Sequence, residues 1–150
     1  MQRAIALATE TVLSGAGGPF GAVVVRNGEI IATGVNLVTS TNDPTAHAEV
    51  VAIRAACKVL GDFRLAGCVV YSSCEPCPMC LAALCWSRCD AVFYGNSASD
   101  ASAAGFDDSL LYAEISRPID QRKLPMQRML AEEAMESFNT WRARTDKIEY

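Results

Sequence analysis

At 150 residues the chain has the length of one domain, and 51% apolar residues (AVILMFWYC) against 20% charged ones give it the balance of a protein with a solid core. Thirteen Lys and Arg against 17 Asp and Glu leave a net charge of −4, so an average surface repels a polyanion and tight nucleic-acid binding is disfavoured. No apolar run approaches the roughly 18 residues of a membrane span. Seven cysteines, an odd number without a secretion signal, speak for reduced thiols in a cytoplasmic setting instead of a disulfide framework.

Residues 1–10 read as an amphipathic helix, because Glu10 interrupts the apolar run too early for a signal peptide. Residues 20–26 and 29–36 flank Asn27-Gly28 and form a predicted hairpin, since that dipeptide supplies the two positive-φ positions of a type I′ turn. Beyond Pro44, Val50, Ile53, Cys57 and Leu60 recur at helical spacing and Gly61 closes the pattern like a C-cap, which places His47 and Glu49 in the first turns of that helix. Residues 68–71 and 91–94 are short apolar runs of the kind shown by strands covered on both faces. Between them residues 77–86 carry no charge on any side, which suits a helix buried in the middle of the fold, and Pro78 at its first position leaves Cys77 as N-cap. A further helix is expected near Ser109, and Phe138 and Trp141 lie on a candidate last one. This order predicts a single α/β domain over residues 1–150 without repeat or linker. Its mixed sheet would be antiparallel at the opening hairpin and parallel afterwards, with helices on both faces.

The chain holds one histidine, His47, with Glu49 two positions later and the pair Cys77 and Cys80 some thirty residues downstream. His, Cys and Cys are good zinc ligands and leave one position of a tetrahedral ion open for water, whose pKa zinc lowers to about 7. Cys77 and Cys80 lie at a helix start, where free N–H groups and the dipole favour thiolates. Glu49 is about 200° round an ideal helix from His47, yet near the helix end its reach suits a general acid and base beside that water. Other readings exist: a structural histidine, a structural or redox Cys-x-x-Cys, or an iron–sulfur site opened by Cys74, Cys77 and Cys80. The last departs from the usual run where Leu84 takes the place of the fourth cysteine and Cys85 comes one residue late. Cys57, Cys68, Cys85 and Cys89 read as small core residues and Cys74 as a spare.

His-x-Glu followed by Pro-Cys-x-x-Cys is the signature of zinc nucleobase deaminases. With the stretches GGPFGAVVV, NDPTAHAEV, SCEPCPMC and AGFDDS and the final Ile148-Glu149-Tyr150, the chain resembles the bacterial guanine deaminases of the zinc-dependent cytidine and deoxycytidylate deaminase family. The resemblance implies a three-layer αβα fold with about five strands, zinc on His47, Cys77 and Cys80, and Glu49 as proton shuttle. It further implies that Asn36 hydrogen-bonds the base, Phe20 packs on its ring and Ala48 offers its backbone. A loop asparagine and a core phenylalanine are the alternatives for the first two. Asp108 matches the acidic residue that contacts guanine; the alternative is a loop aspartate capping the helix near Ser109. In such proteins the tail crosses to the partner of a homodimer, where the residue matching Tyr150 closes the neighbour's site, implying a domain swap. Guanosine, cytosine, adenine or an aminotriazine are substrates of the same reaction class, and a transfer-RNA adenosine deaminase or a non-catalytic metal-binding module are further alternatives.

Overall fold

The structure, a computed structural model, describes residues 1–149, which divide into two compact units, 1–109 and 110–149. The first opens with helix α1 (Gln2–Leu13), then strands β1 (Gly21–Arg26) and β2 (Glu29–Val35). Asn27 (φ 52°) and Gly28 (φ 83°) sit between the strands with the two positive φ values that the hairpin requires. A single turn, α2 (Val38–Thr41), leads to α3 (Ala48–Leu60), which ends on Gly61 in the left-handed region (φ 63°). Next come β3 (Cys68–Cys74), α4 (Pro78–Ser87) with Cys77 as N-cap, β4 (Ala91–Asn96) and α5 (Ala98–Ala103). The second unit carries α6 (Ser109–Ser116) from its second residue onward, a 3₁₀ turn (Ile119–Gln121) and α7 (Ala131–Ala143), which bears Phe138 and Trp141.

The sheet order is β2-β1-β3-β4. β1 is antiparallel to both β2 and β3, and β3 is parallel to β4, so β2, β3 and β4 run one way and β1 the other. Four strands form among the described residues where about five were expected. After Asn96 the chain turns helical instead, because Ser97 and Asp100 form a reciprocal capping box that starts α5. β3 runs further than its apolar stretch suggests, through Ser72 and Ser73, since both hydroxyls find buried partners.

Helices cover both faces. Alternate residues of β1 divide between them: Val23 packs with Ala4 and Leu7 of α1, while Ala22 and Val24 pack with Ala48, Ala52 and Ala56 of α3, Leu84 of α4, and Val70. The small α3 residues allow a very close seat on the sheet, and Gly34 of β2 completes it, for a Cβ there would stand 2.5 Å from the backbone nitrogen of Ala52. Two expectations need correction. β4 is an edge strand with Phe93 and Tyr94 about half exposed, and α4 is covered on one side only, leaving Leu81, Cys85 and Trp86 open. Of the four cysteines assigned to the core, Cys68 is buried, Cys57 and Cys89 are half-buried and Cys85 is exposed. An apolar sequence marks surface that avoids water, and among the described residues part of that surface stays exposed.

Candidate active site

Because β2, β3 and β4 point the same way, their carboxyl ends share one edge of the sheet, and the segments leaving that edge bring the chemistry together. β2 leads through Asn36 to the N-terminus of α3, where His47 is the N-cap, Ala48 the first and Glu49 the second helical residue. β3 leads to the N-terminus of α4, where Cys77 is the N-cap and Cys80 lies in the first turn. β4 leads by way of α5 to Phe106 and Asp108. Phe20 immediately precedes β1, whose start pairs with the end of β2. Crevices at the carboxyl ends of strands are the usual ligand sites of open α/β sheets.

His47 Nδ1 lies 3.6 Å from Cys77 Sγ and 3.5 Å from Cys80 Sγ. A tetrahedral ion with bonds of about 2.3 Å to sulfur and 2.05 Å to nitrogen demands an N to S edge of about 3.6 Å, and the three ligand atoms all lie within 4.8 Å of one another. The donor set therefore fits zinc in both chemistry and spacing. Cys74 does not join it: its thiol donates to the Ser97 carbonyl at 3.7 Å, which removes the third cysteine of an iron–sulfur run.

Glu49 is 5% exposed, and its carboxylate accepts from Ser72 Oγ at 3.1 Å through Oε1 and from Cys80 Sγ at 3.4 Å through Oε2. Burial raises its pKa. Cys77 is lowered to about 4, chiefly because the Cys80 thiol bonds to it and secondly because His47 does. The same bond, together with burial, pushes Cys80 up, and the contact with Cys77 raises His47.

Asn36 is 8% exposed; its Oδ1 accepts the Val38 N–H at 3.3 Å, and its amide amino group has no protein partner among the described residues. Phe20 meets Phe106 edge to face, with centroids 4.9 Å apart, while its other side rests on the core. Helix α6 begins at Ser109 as expected, but the carboxylate taking the Ser109 N–H, at 3.0 Å, is that of Asp107. Asp108 is half-buried and raised by burial and by the negative charge of Cys77. Tyr150 lies outside the described residues. Ser72 and Phe106 were not singled out from sequence, since each meets its partner only through the fold. A polar Ser72-Ser73 pair extending an apolar strand was the one local hint.

Residues 1–96 match the family model described as the cytidine and deoxycytidylate deaminase zinc-binding region. Over 150 residues the chain is 54% identical to the guanine deaminase of Bacillus subtilis, covering 100% of this chain and 96% of that protein. The X-ray structure of that enzyme superposes with a TM-score of 0.97 over 99% of this chain and 95% of the other. A guanine deaminase from Nitrosomonas europaea, 29% identical, superposes with a TM-score of 0.69 over 79% of this chain and 65% of its own. The tRNA-specific adenosine deaminase of Agrobacterium fabrum is 47% identical over 77 residues, 51% of either chain.

Proposed function

The chain belongs to the zinc-binding cytidine and deoxycytidylate deaminase family, and on that premise we propose that it hydrolyses the free purine base guanine to xanthine and ammonia. The observation that carries the reading is the buried Glu49 carboxylate beside a His, Cys, Cys donor set, in a chain with no second imidazole to act as base. Guanine is favoured over a transfer-RNA adenosine because likeness to the Bacillus enzyme runs through both compact units, whereas likeness to the adenosine deaminase of Agrobacterium spans half the chain.

In this reading His47, Cys77 and Cys80 hold zinc, which when bound lowers the pKa of a coordinated water to about 7. Glu49 takes the proton of the attacking water and passes it to the ring nitrogen beside the carbon that bears the amino group. It then delivers the remaining hydroxyl proton to the departing amine, which leaves as ammonia. A carboxylate raised by burial serves both directions of transfer better than one at its ordinary pKa. Asn36 donates its amide N–H to the base, Phe20 packs on the ring, and the backbone of Ala48 at the helix start offers a polar contact. Asp108 accepts the ring N–H that guanine has and adenine lacks; facing adenine's ring nitrogen, a buried acceptor costs about 1 to 3 kcal/mol.

The protein acts as a cytoplasmic homodimer whose C-terminal segment, ending in Tyr150, closes the site of the partner. Supporting this, α6 and α7 contain no buried residue, and Leu110, Leu111, Ile115 and Phe138 are exposed together with the open face of α4. No described helix is long and apolar enough to cross a membrane. The test is to incubate zinc-loaded protein with guanine and follow ammonia, with guanosine, cytosine, adenine, an aminotriazine and an anticodon stem-loop as comparators. Ammonia from guanine foremost is the expected result; ammonia from none of them overturns the enzymatic reading.

A further inference from the structure

We propose that Ser72 is a positioning residue of the hydrolysis, its hydroxyl holding Glu49 in the orientation that keeps Oε2 on the side of the three zinc-binding atoms. The inference rests on the role of Glu49 proposed above.

Glu49 is the second residue of α3, and within that helix its carboxylate meets its own backbone N–H. The aiming comes from the sheet. Ser72 Oγ donates to Oε1 at 3.1 Å, and the two residues are 1% and 5% exposed. Ser72 belongs to β3, which is paired on both sides, with Ala22 of β1 and Tyr94 of β4 as its neighbours, so its hydroxyl issues from a strand with no freedom to shift. The other side-chain contact of the carboxylate, Cys80 Sγ to Oε2 at 3.4 Å, involves a thiol, which is a weak donor. The adjacent serine shows what a purely structural hydroxyl does in this strand: Ser73 Oγ accepts the backbone N–H of Gly21 at 3.0 Å and so joins β3 to the start of β1. Ser72 faces the other layer and spends its hydroxyl on the carboxylate.

The experiment compares Ser72→Ala, Ser72→Thr and Glu49→Ala in the full-length, zinc-loaded protein, reading zinc per chain, kcat and KM for guanine, and the crystallographic position of the residue 49 side chain. For Ser72→Ala we expect zinc unchanged, KM within about two-fold, kcat lowered on the order of 10- to 100-fold, as for a lost hydrogen bond to a charged group, and a carboxylate rotated away from the ligand set. Ser72→Thr, which keeps the hydroxyl, recovers most of kcat. A Ser72→Ala protein with kcat within two-fold of the parent, with KM raised at constant kcat, or with Glu49 still in place overturns the inference. Glu49→Ala separates this from the larger reading: if that variant also retains turnover, the role of Glu49 itself falls.

Discussion

Gly34→Ala should damage the active site from a position in the core of the sheet. The added Cβ meets backbone, not the yielding end of a side chain: the Ala48 carbonyl oxygen, the Ala52 nitrogen at 2.5 Å and the Ala52 Cβ at 3.0 Å. Ordinary contact begins near 3.4 Å, so α3 must retreat from β2 by roughly 1 Å. Helix α3 carries His47 as N-cap and Glu49 in its first turn, whereas Cys77, Cys80 and Ser72 belong to α4 and β3. The retreat therefore pulls one of the three clustered donor atoms and the proposed proton shuttle away from the others. Overpacking of this kind costs about 1 to 3 kcal/mol, or roughly 2 to 12 °C in Tm for a chain of this size. A displacement near 1 Å at reacting groups costs on the order of 10²-fold in rate. The assay measures Tm by circular dichroism, zinc affinity by competition with a chelator, and kcat for guanine. Gly28→Ala is the control. Its φ of 83° strains any side chain, but nothing lies within 4 Å of the new Cβ, so it should lose stability while keeping zinc affinity and kcat. A folded Gly34→Ala protein with zinc affinity and kcat within two-fold of the parent would refute the claim that the close seat of α3 sets the site.

Zinc uptake at pH 7 should release roughly one to two protons, because ligands must be deprotonated: Cys77, held near 4, has already lost its proton, while Cys80 and His47, both raised, have not fully done so. Affinity accordingly falls as pH drops through the raised His47 value, and calorimetry in buffers of different ionisation enthalpy counts the protons; proton-neutral binding contradicts the scheme. Asp108→Asn should raise KM for guanine roughly 10-fold or more, as for a hydrogen bond to a charged acceptor, with zinc content unchanged; an unaltered KM returns Asp108 to the role of a loop residue. Deleting residues 147–150 should lower kcat/KM for guanine without touching zinc content, and unchanged kinetics would exclude the tail from the site.

Most of what sequence revealed depended on neighbours along the chain. Asn27-Gly28 dictated its turn because both residues tolerate positive φ, and Pro78 dictated the start of α4 because its missing N–H costs nothing there. His47, Cys77 and Cys80 were legible because zinc leaves so few choices of donor. Contacts across the fold were not. Phe20 and Phe106 stand 86 positions apart and Ser72 and Glu49 stand 23 apart, and neither pair has a local pattern. Asp107 and Asp108 are chemically identical neighbours, so only the backbone decided which of them takes the Ser109 N–H. The fifth strand expected from the family does not form among the described residues, where the Ser97 and Asp100 capping box starts a helix directly after β4.

The direction of β1 explains why the site assembles at all. A hairpin turns the chain back, so β2 runs opposite to β1, and β3 lies on the other side of β1, antiparallel to it. That places the carboxyl ends of β2 and β3 at the same edge although the two strands never touch. β2 leads through the single turn α2 to α3, and β3 leads to α4, so α3 and α4 both begin at that edge with their free N–H groups turned toward the same space. His47 and Cys77 are the N-caps of those two helices. Positive helix ends facing each other across a gap favour whatever negative charge lies between them. A thiolate at Cys77 and a carboxylate at Glu49 meet that condition, and an ion that holds the cluster together lets both remain charged. One imidazole at one helix start is enough to complete a donor set that the opposite helix start has already begun.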